Sequence, residues 1–176
     1  MSRAPIADQA AIARVGAAVR ARLSVDPAVH RIQVERAEIF AVQNFLSPGE
    51  CEHIMAMIDA AARPSTTFAG YGEAGDRTSS SGDVDPSDSF VRMIERRICD
   101  TMGIKQSWGE TFQGQRYEPG QEFKGHYDYF STNTTYWPRE SRMGGLRCWT
   151  SMVYLSDVEE GGSTDFTQLG LSVPPQ

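Results

Sequence analysis

The residues best equipped for chemistry in this sequence are His126 and Asp128, in the run His126-Tyr127-Asp128. On a β-strand, residues i and i+2 point to the same face, so an imidazole nitrogen and a carboxylate oxygen so spaced can converge on one cation. They would supply two donors of a 2-His-1-carboxylate set, which leaves positions open for substrate and dioxygen on Fe(II). The pair alone is a weak signal. With 23 acidic residues among 176, a histidine two residues before an acid is a common accident, and the bland alternative is a surface imidazole beside a solvated carboxylate. The other histidines are His30 and His53, both upstream of the motif. His53 falls on a predicted helix next to its capped start, a poor place for a substitute ligand.

The chain that must position these groups has 40% hydrophobic and 23% charged residues, an ordinary globular mixture for one domain with its own core. Its net charge of −6 offers no general electrostatic footprint for nucleic acid or an anionic membrane. Cys51, Cys99 and Cys148 are widely spaced and odd in number, which argues against a disulfide framework or zinc knuckle and for a reducing compartment. No apolar run approaches the roughly eighteen residues of a membrane span. Arg3, Arg14, Arg20 and Arg22 among alanines fit either a transit peptide or an amphipathic helix; sparse serine favours the helix, and the cytoplasm is the expected location.

Helical spacing of Ile12, Val15, Val19 and Leu23 predicts a helix from about Pro5 to Leu23, within an N-terminal helical segment 1–36. Ala37 to Phe45 reads as a strand. Ser47-Pro48-Gly49-Glu50 is a capping box with proline at the first helical position, and Ile54, Met57, Ile58 and Ala61 form the buried face of the helix it opens. Pro64 to Ser89 reads as a long polar loop with a short strand near Arg77 to Ser80. Asp85-Pro86 is expected to start a third helix, with Phe90, Ile94 and Ile98 inward and Gly103 at its end. Beyond Trp108 the pattern turns to strands. Glu110–Tyr117 and Glu122–Phe130 form an expected hairpin about Glu118-Pro119-Gly120-Gln121. A polar insertion, Ser131 to Gly145, follows; its Tyr136 and Trp137 are either lid aromatics or loop packing. A strong strand over Leu146 to Leu155 comes next, then a turn at Glu159 to Gly162 and a short strand about Thr164 to Phe166. Helices followed by short strands predict an α+β chain with a barrel or jelly roll.

The stretch Arg116-Tyr117-Glu118-Pro119-Gly120-Gln121-Glu122-Phe123-Lys124-Gly125-His126-Tyr127-Asp128-Tyr129-Phe130 closely resembles the signature of prolyl 4-hydroxylase-like, Fe(II)- and 2-oxoglutarate-dependent dioxygenases. Gly144-Gly145-Leu146-Arg147 through Thr150 to Val153-Tyr154-Leu155-Ser156-Asp157-Val158 is similar to a later family element, and Glu159 to Phe166 to its glycine-pair turn. Arg77 to Ser81 and Phe45 to Pro48 resemble its upstream elements, so the likeness covers most of residues 37–176. It implies a double-stranded β-helix (jelly roll) core supported by N-terminal helices, with Fe(II) held by His126 and Asp128. It implies that Tyr117 hydrogen-bonds 2-oxoglutarate, that Thr164 helps hold its distal carboxylate, and that Tyr154 faces that site. Arg77 to Ser81 would lie near the substrate groove. The expected reaction couples oxidative decarboxylation of 2-oxoglutarate to succinate and CO2 with hydroxylation of a peptidyl proline or similar residue in a protein or peptide, with O2 and ascorbate. A free amino acid substrate, or a jelly-roll module that binds without turnover, are the alternatives.

Each assignment has a plainer rival. Tyr117 can be a strand tyrosine with a satisfied hydroxyl, Thr164 can serve turn backbone, and Thr150, Met152 and Tyr154 share one face that core packing explains equally well. The family's second histidine and the following Lys or Arg, both downstream, have no counterpart here: no basic residue follows Arg147, and the lysines are Lys105 and Lys124. The expectation is a jelly roll incomplete in this chain, truncated at the C-terminus and inactive by itself, since two ligands hold iron weakly and a distal carboxylate would lack its cation.

Overall fold

A computed structural model describes residues 8–66 and 75–175. The first residues of the expected N-terminal helix and the middle of the Pro64–Ser89 loop therefore lie outside the described residues. The chain is α+β. Helix α1 (Gln9–Ser24) is followed by strands β1 (Val29–Ile32) and β2 (Ile39–Val42), helix α2 (Pro48–Ala61), and strands β3 (Ala62–Pro64) and β4 (Ser80–Asp83). Helix α3 (Ser89–Met102), strand β5 (Gln113–Arg116), the short helix α4 (Trp137–Met143) and strands β6 (Thr164–Phe166) and β7 (Leu171–Val173) complete it. All strand pairing is antiparallel: β1 with β2, β4 between β3 and β5, and β6 with β7.

The helices form where their caps dictate. Ser47 accepts from the Glu50 amide, and the Glu50 carboxylate reaches back to the Ser47 amide at 2.8 Å, a reciprocal capping box. Arg97 of α3 binds both Glu50 oxygens at 3.0 and 2.6 Å, which ties the start of α2 to α3 and depresses the Glu50 pKa to about 2. The third helix starts later than Asp85-Pro86. Asp85 closes a turn with Ser87, whereas Asp88 caps α3 by accepting from the amides of Phe90 and Val91 at 2.7 and 3.2 Å. Gly103 ends that helix in the left-handed region, as expected. The core unites Leu46, Ile54, Ile58, Val84, Val91 and Ile94, with Val153 and Leu155 packed against it.

Gly82 and Gly114 face each other across β4 and β5, and together they let α2 settle on the sheet. A Cβ on Gly82 would lie 2.5 Å from the Ile58 carbonyl oxygen, and one on Gly114 would overlap the Ile58 side chain.

Two strand expectations are corrected. The Glu118–Gln121 turn forms, with the Gln121 amide donating to Glu118 O at 2.9 Å and Gly120 at φ 82°. It does not close a hairpin. Arg116 pairs with Ser80, and beyond the turn Phe123 bridges to Arg77 on the same strand. The paired residue numbers sum to 196 before the turn and 200 after it, so the extra four residues are the turn itself. Residues 113–123 thus run as one strand beside 76–83, with the turn bulged out. The second correction concerns Leu146–Leu155, which joins no ladder among the described residues. Strand hydrogen bonds need a neighbouring backbone; here side chains hold the segment instead. Val153 and Leu155 reach the helical core, and Trp149 meets Phe40 of β2 with centroids 6.0 Å apart. In the insertion, Trp137 begins α4 and is 1% exposed, so it packs inside rather than serving as a lid aromatic.

Candidate functional site

His126 and Asp128 lie on irregular backbone rather than on the expected strand. Their side chains nevertheless converge, with His126 Nε2 3.4 Å from Asp128 Oδ1. His126 Nδ1 lies 2.8 Å from the Lys124 carbonyl oxygen, which can only accept. Nδ1 therefore donates to that carbonyl, and Nε2 is the ring nitrogen that faces Asp128. The imidazole plane is fixed by stacking on Phe123, centroids 3.6 Å apart, and the Arg77 guanidinium covers the same ring at 4.9 Å.

These two donors fit one cation. A metal about 2.1 Å from each of two neighbouring donors separates them by about 3.0–3.4 Å. Asp128 Oδ2 accepts from the Thr150 hydroxyl at 2.8 Å, and the Asp128 carbonyl accepts from Arg147 at 3.2 Å. Arg147 grips both Glu110 oxygens at 2.6 Å and lies over Phe130 at 4.3 Å. Among the described residues no group of three or more His, Cys, Asp or Glu side chains is placed to hold an ion. His53 stacks on Phe90 instead, centroids 4.4 Å apart.

The structure also brings Tyr154 to Thr164. The tyrosine oxygen lies 2.8 Å from both Thr164 Oγ1 and the Val173 carbonyl oxygen, and it accepts from the Thr164 amide at 3.2 Å. Thr164 Oγ1 also meets Met152 Sδ at 3.7 Å. Thr150, Met152 and Tyr154 do share a face, but core packing does not explain it. Met152 is 56% exposed, and it is the alternate residues Val153 and Leu155 that reach the core. One face of this segment therefore touches Asp128 at one end and Thr164 at the other.

Tyr117 stands apart from both pairs. It follows β5, is half exposed, and donates to Gln115 at 2.9 Å; among the described residues no hydrogen bond joins it to His126, Asp128, Tyr154 or Thr164. Near it lies a polar cluster in the region where the sequence predicts a short strand, near Arg77 to Ser80. Ser65 Oγ is 2.9 Å from Ser79 Oγ and 2.7 Å from Ser81 Oγ, and Arg77 donates to Ser79, Ser81, Gln113 and the Thr66 carbonyl. Burial lowers the Arg77 pKa below the usual guanidinium value. The two buried serines are Ser79, just before β4, and Ser81 within it.

No protein-family model matches the chain. Among curated proteins it is similar to several from Arabidopsis thaliana. It is 38% identical over 132 residues to probable prolyl 4-hydroxylase 3, covering 72% of this chain and 44% of that protein. It is 35% identical over 139 residues to prolyl 4-hydroxylase 1, covering 75% and 47%, and 36% identical over 128 residues to prolyl 4-hydroxylase 5, covering 70% and 42%. The chain spans less than half the length of these relatives. These matches support a prolyl 4-hydroxylase-like family for the chain.

Proposed function

We propose that this chain forms the metal- and cosubstrate-facing part of an Fe(II)- and 2-oxoglutarate-dependent dioxygenase that hydroxylates a peptidyl proline or similar residue. The observation that carries the reading is the approach of His126 Nε2 to Asp128 Oδ1 at 3.4 Å, with His126 Nδ1 held 2.8 Å from the Lys124 carbonyl oxygen. The relatives' printed names support the reaction class. His126 and Asp128 would hold Fe(II), which supplies the redox chemistry with O2 and 2-oxoglutarate, and ascorbate would keep it reduced.

The protein's own part is placement. Lys124 O fixes the imidazole tautomer, Phe123 fixes its plane, and Thr150 fixes one carboxylate oxygen. Tyr117, Tyr154 and Thr164 supply hydroxyl groups for the cosubstrate's carboxylates. In the same reading, the short strands gathered here belong to a jelly-roll core, residues 37–176 belong to the catalytic domain, and 1–36 are an N-terminal addition to it. Among the described residues no helix is long and apolar enough to cross a membrane. The free thiols of Cys51, Cys99 and Cys148 support a reducing compartment, and we place the protein in the cytoplasm on that ground.

The test is succinate release from 2-oxoglutarate with Fe(II), O2, ascorbate and a proline-containing peptide, on this chain and on the longest form its gene encodes. Turnover that Asp128→Ala abolishes supports the reading. Turnover that survives Asp128→Ala refutes the metal assignment. Peptide binding without any turnover in the longest form establishes a non-catalytic module instead.

A further inference from the structure

Asp128 has two oxygens, and only one of them faces His126. The other is taken. Thr150 Oγ1 donates to Oδ2 at 2.8 Å, which leaves Oδ1 3.4 Å from His126 Nε2. Without that hydrogen bond the two oxygens are interchangeable, since the carboxylate is half exposed and its terminal torsion is soft. Thr150 is itself fixed from behind. The preceding residue, Trp149, packs on Phe40 and lies against α1, where a Cβ on Gly16 would sit 3.9 Å from the indole nitrogen. Further along, Val153 and Leu155 are set in the helical core, and Arg147 binds the Asp128 carbonyl at 3.2 Å. The segment carrying Thr150 is thus clamped by side chains to the N-terminal elements and the core.

We propose that Thr150 is a positioning residue for the metal donor Asp128. Its hydroxyl holds Oδ2 and presents Oδ1 as a single, pre-aimed donor. Trp149, seated against β2 and α1, is what keeps that hydroxyl in place. The proposal rests on the reading of His126 and Asp128 as metal donors. Removing an outer-shell partner of a ligand typically weakens metal binding by about 10–100-fold.

The experiment is a titration of the longest form this chain's gene encodes with Mn(II), an air-stable stand-in for Fe(II), with free Mn(II) counted by electron paramagnetic resonance. Wild type is compared with Asp128→Ala, Thr150→Val and Thr150→Ser, and each variant's thermal melt is recorded. Thr150→Val keeps the shape of threonine and loses the hydroxyl; it is expected to raise the Mn(II) dissociation constant by about 10–100-fold. Thr150→Ser, which restores the hydroxyl, is expected to bind nearly as wild type. If Thr150→Val binds as wild type while Asp128→Ala does not, Thr150 has no positioning role and the metal site stands. If Thr150→Ser is as weak as Thr150→Val, the loss is one of packing, and the proposal is overturned. If wild type and Asp128→Ala bind alike, the metal assignment itself falls, and Thr150 with it.

Discussion

Replacing Gly82 with alanine tests the packing that underlies the site. The added Cβ would lie 2.5, 2.9 and 3.0 Å from the carbonyl oxygen, Cα and carbonyl carbon of Ile58. All three are main-chain atoms of α2, so no rotamer change relieves the overlap. Restoring ordinary contact at about 3.5 Å requires lifting α2 by up to about 1 Å, and a gap of about 0.5–1 Å already forfeits a quarter to a half of each dispersion contact beneath it. The contacts at stake are those of Ile54 and Ile58, each 4% exposed. Overpacking of this kind costs about 1–3 kcal/mol, against which alanine recovers about 0.5–1 kcal/mol of backbone entropy relative to glycine. The net is about 0–2.5 kcal/mol, centred at about 1.2 kcal/mol. At about 2–4 °C per kcal/mol for a chain of this size, that central value lowers Tm by about 2–5 °C.

Gly49→Ala is the control. It lies in the first turn of α2 with nothing within 4 Å of the added atom, and it is expected to leave Tm unchanged or raise it slightly. Both are read by circular dichroism melts at one scan rate. If Gly82→Ala melts at or above wild type, α2 does not rest on β4 as described, and the argument for the glycine pair is wrong.

Tyr117→Phe removes one hydroxyl from the proposed cosubstrate site; a lost hydrogen bond of about 0.5–1.5 kcal/mol raises the apparent 2-oxoglutarate requirement about 2–12-fold in the longest form of the protein, and an unchanged requirement removes Tyr117 from the site. Tyr154→Phe breaks the contacts to Thr164 and Val173 and is expected to lower Tm and to raise the 2-oxoglutarate requirement together; a drop in Tm alone assigns the contact to folding only. Glu50 is held near pKa 2 by Arg97, below its ordinary 4.5, so its contribution to stability is full above about pH 4.5 and is lost as pH falls toward 2. Glu50→Gln should therefore melt below wild type at pH 6 and lose less between pH 4.5 and 2, while parallel curves would show that the pair contributes nothing to acid sensitivity.

The sequence was legible where structure is local. The Ser47–Glu50 capping box, the Gly103 stop and the Glu118–Gln121 turn all follow from residues within a few positions of one another, and all form. The His126-Tyr127-Asp128 spacing was legible for the same reason, although the strand geometry behind it was not realised: an irregular stretch brings the two side chains together because Lys124 O and Phe123 hold the imidazole. What depended on distant partners was not legible. Gly82 and Gly114 read as loop and strand glycines until α2 is laid over both. Arg116 and Phe123 read as two arms of a hairpin until one strand, 76–83, is seen beside both. The Thr150 hydroxyl finds Asp128 across 22 positions, and no spacing rule reaches that far.

The segment after Arg147 shows why alternation in sequence can mislead about burial while remaining informative about function. Its apolar residues predicted a strand, yet it joins no ladder among the described residues, so hydrogen bonding does not fix its register. Side chains do. Trp149, Val153 and Leu155 reach β2 and the helical core, and this leaves Thr150, Met152 and Tyr154 on the opposite side, where they meet Asp128 and Thr164. These side-chain contacts, rather than a ladder, hold the hydroxyls of Thr150 and Tyr154 toward Asp128 and Thr164. The same apolar contacts that stabilise the fold select the residues that face the proposed metal and cosubstrate.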